Sequence, residues 1–287
     1  MSASLGSIIT AIVTPFDAAG KVDEDGFVGL LDYLAAHGSD GFVVCGTTGE
    51  AATLSVDEHL GLIELAVANR PVGTSIIAGA GSNDTRHAVE MTERSTELGA
   101  DAILSVTPYY NRPNRRGIVA HYGEVIKATD KPIILYNIPS RTGTNLPNEF
   151  LAELAQLDRI EFVKQANPDD VAQVDGLGLY AGNDDMLAEV LDLGGLGGIL
   201  VASHVVGPQM RQMVDDPEQR AEIDAALAEI YAALGVTTNP IPVKAALSLL
   251  GLPSGPLRLP LVEASTQERA VVETALKNLG LLEGAGR

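Results

Sequence analysis

The chain has 287 residues, 46% of them hydrophobic and 20% charged, a balance that excludes a disordered chain. Its net charge is −19, from 38 acidic and 19 basic residues, and such a surface repels phosphate backbones, so no nucleic-acid partner is expected. A single cysteine, Cys45, excludes an internal disulfide and a cysteine-rich metal site.

No apolar run reaches the ~18 residues that a spanning helix needs. The first residues, Met1-Ser2-Ala3-Ser4-Leu5-Gly6, carry no basic segment ahead of an apolar core. No membrane partner and no secretory signal are therefore expected, and the cytoplasm is the expected location.

Eight short apolar runs follow in order: Ile8–Val13, Gly41–Cys45, Ser75–Ala78, Ala102–Val106, Pro132–Tyr136, Ile160–Lys164, Gly178–Ala181 and Gly198–Val201. Most lack strict alternation, as strands do when both faces of a parallel sheet are covered. Helical spacing fills the gaps. Phe27, Leu30, Leu31 and Leu34 form one stripe, and Leu60, Ile63 and Val67 another, behind a capping box of Ser55 and Glu58. Ala88, Met91, Ser95 and Leu98 make a weaker third. Residues 115–128, 147–157, 185–193 and 203–214 continue the pattern. Eight strand–helix repeats predict a (β/α)8 TIM barrel over 1–215, with a doubly wound open sheet as the competing α/β reading. The unbroken order of the eight units favours closure. Beyond residue 215 the strand signal stops. Residues 217–234, 240–250 and 265–280 predict helices, the last opening with Ser265 and Glu268, so 216–287 is expected to be a C-terminal helical extension packed on the barrel.

A barrel enzyme builds its site at the carboxyl ends of its strands. Lys164 closes the sixth run there. A lysine at a barrel mouth is partly desolvated, which frees its amine to form a Schiff base with a ketone. Taken alone, a lysine ending a strand is more often a snorkelling surface residue. Tyr136, one strand away, is either a proton shuttle or a buried aromatic with a backbone partner. Thr47 and Thr48 occupy a glycine-flanked turn that can hold a carboxylate on its N–H groups, or that is an ordinary strand–helix turn. Arg141 can grip a second carboxylate, or be a surface arginine. Tyr109 and Tyr110 are interface or catalytic aromatics.

Gly79–Asp84 lacks the third glycine of a dinucleotide turn, and Gly194–Gly198 precedes a strand instead of following one. His37, His59, His87, His121 and His204 have no metal-ligand spacing. No nucleotide cofactor and no catalytic metal are expected.

Together, Gly46-Thr47-Thr48-Gly49-Glu50, Tyr109-Tyr110, Tyr136-Asn137-Ile138-Pro139-Ser140-Arg141-Thr142-Gly143 and Lys164 resemble the pyruvate-dependent class I aldolase superfamily, and within it the dihydrodipicolinate synthase family. The resemblance runs from about Ile8 to Leu282 and takes in Asn239–Lys244 and Leu257–Pro260. It implies a lyase without a cofactor that joins pyruvate to L-aspartate semialdehyde. Lys164 would carry the Schiff base, and Tyr136, Thr47 and Tyr110 the proton relay. Tyr110 would reach in from a neighbouring subunit, which implies an oligomer, a homotetramer built as a dimer of dimers. Thr48, with Thr47, would hold the pyruvate carboxylate, and Arg141 that of the acceptor. The backbone carbonyls of Gly182 and Ile199 would line the pocket. Sialic acid lyases share much of this set but usually lack the arginine. Gln165 and Asn183 stand where acidic residues are common. Ala51, Val56 and His87 stand where lysine-sensitive members carry Ser, His and Glu, while His59, Asn83 and Tyr109 match. Weak or absent inhibition by lysine is therefore expected.

Overall fold

Eight strands pair in parallel and in chain order: β1 (Ile8–Ala11), β2 (Gly41–Val44), β3 (Ser75–Gly79), β4 (Ala102–Val106), β5 (Ile133–Asn137), β6 (Ile160–Gln165), β7 (Gly178–Ala181) and β8 (Gly197–Leu200). Ile9 of β1 lies beside both Gly41 of β2 and Ile199 of β8, which closes the barrel and leaves no sheet edge. The structure, a computed structural model, describes residues 5–282. Met1–Ser4 and residues 283–287, to which the expected N-terminal and C-terminal boundaries extend, lie outside the described residues.

Helices cover the barrel: α1 (Glu24–Ala36), α2 (Val56–Ala68), α3 (Thr85–Glu97), α4 (Arg115–Val125), α5 (Pro139–Thr142), α6 (Asn148–Leu154), α7 (Leu187–Asp192) and α8 (Ser203–Asp215). Three more follow, α9 (Arg220–Leu234), α10 (Ile241–Leu249) and α11 (Thr266–Asn278). Their starts are chemically marked. Asp23 and Asn114 accept the N–H of Gly26 and Gly117, and both expected capping boxes form, at Ser55/Glu58 and Ser265/Glu268. The stretch after β5 forms a helical turn, α5, because Pro139 at its first turn presets the backbone angle and Gly143 ends it in the left-handed region. Helix α8 is broken at Val206, two residues before Pro208.

Two apolar clusters share the strands. Ile8, Phe42, Leu135 and Val163 face outward to a helix-covered layer that also takes in Leu227, Val243 and Leu276 of the last three helices. Ile9, Val43, Ile77, Ile134, Tyr136, Phe162, Tyr180 and Ile199 fill the interior. Alternation along β6 sends Lys164 to the same inward side as Phe162. One irregularity matters for function. Ile133 pairs with Ile160, yet Ile134 pairs with Phe162, a one-residue shift in β6. Without it Tyr136 would lie beside the outward Val163. With it Tyr136 lies beside Lys164.

Candidate active site

At the carboxyl ends of the strands a cavity of about 650 Å³ opens, lined among others by Thr47, Thr48, Tyr136, Arg141, Lys164, Gly182 and Asp184. A smaller lobe of about 390 Å³ adjoins it and shares Gly46, Thr47, Tyr136, Arg141 and Asn239. A larger concavity of about 780 Å³ lies at the opposite end. Two of its arginines are already paired, Arg70 with Asp101 and Arg211 with Asp40, each at 2.7 Å. That is the end of a barrel that serves stability.

Lys164 is 5% exposed, and its Nζ lies 4.3 Å from the centre of the Tyr136 ring. Among the described residues it has no hydrogen-bond or ion-pair partner. Burial lowers its pKa to about 7; the Asp184 charge works against that and Arg141 adds to it. At neutral pH much of the amine is therefore uncharged and nucleophilic. Burial pushes the Tyr136 hydroxyl up to about 12, with Arg141 opposing, so the phenol keeps its proton and can donate it.

The turn after β2 faces them. Gly49 N donates to Gly46 O and Glu50 N to Thr47 O, both at 3.1 Å. The N–H groups of Thr47 and Thr48 donate to no protein acceptor among the described residues. Two adjacent free N–H groups make an anion cradle. Left-handed residues bracket the turn, Cys45 (φ 56°) and Glu50 (φ 55°). Each costs about 1–2 kcal/mol relative to an unstrained angle. Gly79 allows the close approach that this shape needs, since a Cβ there would lie 2.3 Å from Cys45 O. Asn239 Nδ2 donates to Thr48 Oγ1 at 2.9 Å, and Asn239 O accepts from Arg141 Nη2 at 3.4 Å.

The other expected residues divide. Gly182 lines the cavity, and Ile199 is fully buried in the barrel interior, with its side chain in the inward apolar cluster. Tyr110 is 90% exposed and left-handed (φ 69°), and it is not among the residues that line the cavity or its adjoining lobe. Gln165 points away from the cavity and accepts from Asn137 Nδ2 at 3.0 Å. Asn183 lines the cavity and donates to Ala166 O at 3.3 Å. Among the described residues no group of three or more His, Cys, Asp or Glu side chains is placed to hold a metal ion.

The model of the dihydrodipicolinate synthetase family matches residues 4–279. The chain belongs to this family. It is 43% identical over 293 residues to the 4-hydroxy-tetrahydrodipicolinate synthase of Moorella thermoacetica, covering 96% of this chain and 99% of the relative. Among solved structures, dihydrodipicolinate synthase from Thermotoga maritima superposes with a TM-score of 0.94 at 36% identity, covering 98% of this chain and 100% of that one. The enzyme from Cyanidioschyzon merolae with lysine bound gives a TM-score of 0.92 at 40% identity, covering 97% and 99%.

Two residues of this dihydrodipicolinate synthetase family site had no role in the sequence reading. Asp184 follows β7 and anchors the turn after β8, its Oδ1 accepting from Val201 N at 2.8 Å and Ala202 N at 2.9 Å. Burial raises its pKa to about 6, with those two N–H bonds opposing. Its place after a strand was the available signal. Asn239 comes from the segment before α10, and no local pattern announces that it reaches the mouth.

Proposed function

We propose that this protein is a 4-hydroxy-tetrahydrodipicolinate synthase, which condenses pyruvate with L-aspartate 4-semialdehyde through a Schiff base on Lys164. The observation that carries the residue assignment is the buried, unpaired Lys164 amine beside the Tyr136 phenol.

Lys164 Nζ attacks the keto carbon of pyruvate. The carbonyl oxygen takes up protons and leaves as water, and an iminium remains. Tyr136 supplies and removes protons, relayed through Thr47 and a Tyr110 donated by a second copy of the chain. The exposure and left-handed backbone of Tyr110 support that placement, and a homotetramer, a dimer of dimers, would provide it. The Thr47–Thr48 cradle holds the pyruvate carboxylate. The iminium acts as an electron sink, so a methyl proton leaves and an enamine forms. Its carbon attacks the aldehyde carbon of the acceptor, whose carboxylate is held by the Arg141 fork. The acceptor's amine then adds to the former keto carbon and expels Lys164 as a free amine. The ring closes as 4-hydroxy-tetrahydrodipicolinate, an intermediate toward diaminopimelate and lysine. No helix is long and apolar enough to cross a membrane among the described residues, and the cytoplasm is the proposed location.

A coupled assay tests this reading. Pyruvate, L-aspartate semialdehyde and dihydrodipicolinate reductase are mixed with the protein, and NADPH loss is followed. Turnover that vanishes in Lys164→Ala is the expected result. Absent turnover, with pyruvate still trapped on Lys164 by borohydride, would move the assignment to another acceptor aldehyde.

A further inference from the structure

The Thr47–Thr48 turn is gripped from outside the barrel. Glu50, which closes it, is buried and left-handed. Its Oε1 accepts from Lys244 Nζ at 2.7 Å, and its Oε2 from the backbone N of Arg258 at 3.1 Å. Lys244, on α10, is 2% exposed, and its Nζ also donates to Thr14 O at 3.0 Å and Pro256 O at 2.8 Å. Three oxygens around one nitrogen match the three protons of an ammonium. Arg258 ties the same segment to α2 through both oxygens of Glu58, at 2.8 and 2.6 Å.

A turn alone needs none of this. Glycine takes the left-handed angle without strain, and an apolar pair would fill the space at less desolvation cost. A chain keeps both a strained backbone and a buried charge pair where geometry must be over-determined. What this pair over-determines is the direction of the two free N–H groups, three and two residues before Glu50.

We propose that Glu50 and Lys244 are positioning residues for substrate: their buried pair fixes the turn so that the Thr47 and Thr48 N–H groups converge on the carboxylate of the keto acid. The pair touches neither substrate nor Lys164 and acts only through the turn. This inference rests on the reading of that cradle as the pyruvate carboxylate site. It also makes the chain after residue 215 part of the binding apparatus, since Lys244 comes from α10 and Arg258 from the segment between α10 and α11.

The test is the double variant Glu50→Gln/Lys244→Met, which replaces the pair with neutral groups of similar size, a change that buried pairs tolerate. The pyruvate dependence of borohydride inactivation is measured, with the adduct read by intact mass. The half-saturating pyruvate concentration is expected to rise about tenfold. The inactivation rate at saturation and the KM for aspartate semialdehyde should change less than about twofold. A purely structural pair would move the melting temperature and leave this selective rise absent. Glu50→Gln alone serves if the double variant does not fold, with a rise of about threefold expected. Unchanged half-saturation in a folded variant overturns the proposal, and so does failure of both variants to fold. A wild-type chain that forms no pyruvate adduct overturns both this inference and the functional reading beneath it.

Discussion

Two buried lysines in this molecule share a setting and differ in purpose. Lys164 sits over the ring of Tyr136 at 4.3 Å, and Lys244 over the ring of Phe16 at 4.5 Å. Both lose solvation, which lowers the pKa of each. Lys244 is compensated by a carboxylate and two carbonyls, so its charge is held in place. Lys164 has only the more distant Asp184 charge, and among the described residues no acceptor for its protons. Burial alone therefore does not make a lysine a nucleophile. Burial without a partner does, because the uncharged amine is then the cheaper state.

Replacing each lysine by methionine should break that symmetry most sharply. Lys164→Met is expected to lower turnover by ~10⁴-fold or more, since no other group can form the Schiff base. It should also raise folding stability by ~2 kcal/mol, because a poorly solvated amine is exchanged for an apolar chain. Lys244→Met should do the reverse and cost ~3–5 kcal/mol, because Glu50 is left buried without its counter-charge. Urea unfolding of both variants beside wild type reads the two signs. Equal destabilisation would show that Lys164 has a hidden partner.

Arg141 carries the choice of acceptor. Arg141→Ala should raise the KM for aspartate semialdehyde by ~10- to 100-fold and leave the half-saturating pyruvate for borohydride trapping nearly unchanged. Ordinary acceptor kinetics in that variant would sink the acceptor assignment while leaving the lysine chemistry standing.

The pH dependence follows from the same unpaired amine. With a pKa near 7, Lys164 is about half uncharged at pH 7 and about a tenth uncharged at pH 6. The rate of adduct formation at saturating pyruvate should thus fall about tenfold per unit below pH 7 and level off above about pH 8. A profile that keeps rising toward pH 10 would place Lys164 in an ordinary, solvated environment.

Much of this was legible in the residues. Eight apolar runs gave all eight strands in order, and each serine–glutamate capping box marked a helix start where it was read. Lys164 and Tyr136 were legible because strand ends in a barrel are where chemistry gathers. Their contact was not, since it depends on a one-residue shift in β6 that the apolar pattern does not encode. The grip of Lys244 on Glu50 was also invisible, as the two lie 194 residues apart and only the closed fold brings them together. Tyr110 marks a limit of another kind. The residues alone left it an interface or a catalytic aromatic, the resemblance implied that it reaches in from a neighbouring subunit, and within one chain it is 90% exposed.

The smallest expected effect concerns the lobe beside the active site. The weak or absent inhibition by lysine expected from the sequence turns on the charge of that lobe. The lobe is lined by two imidazoles, His59 and His87. His59 Nε2 bonds Gly79 O at 2.7 Å, and its pKa is lowered chiefly by burial, the Gly79 bond opposing and the charge of His87 adding a little. Glu50 is the one carboxylate among the lining residues, and both of its oxygens are already engaged by Lys244 and Arg258. A lysine ammonium arriving there meets no free carboxylate among the lining residues. Millimolar lysine should therefore change the steady-state rate by less than about twofold at pH 8. His87→Glu should restore an anion and with it measurable inhibition. Strong inhibition of the wild-type chain would mean that lysine finds its counter-charge outside this lobe, on a surface that only a second copy completes.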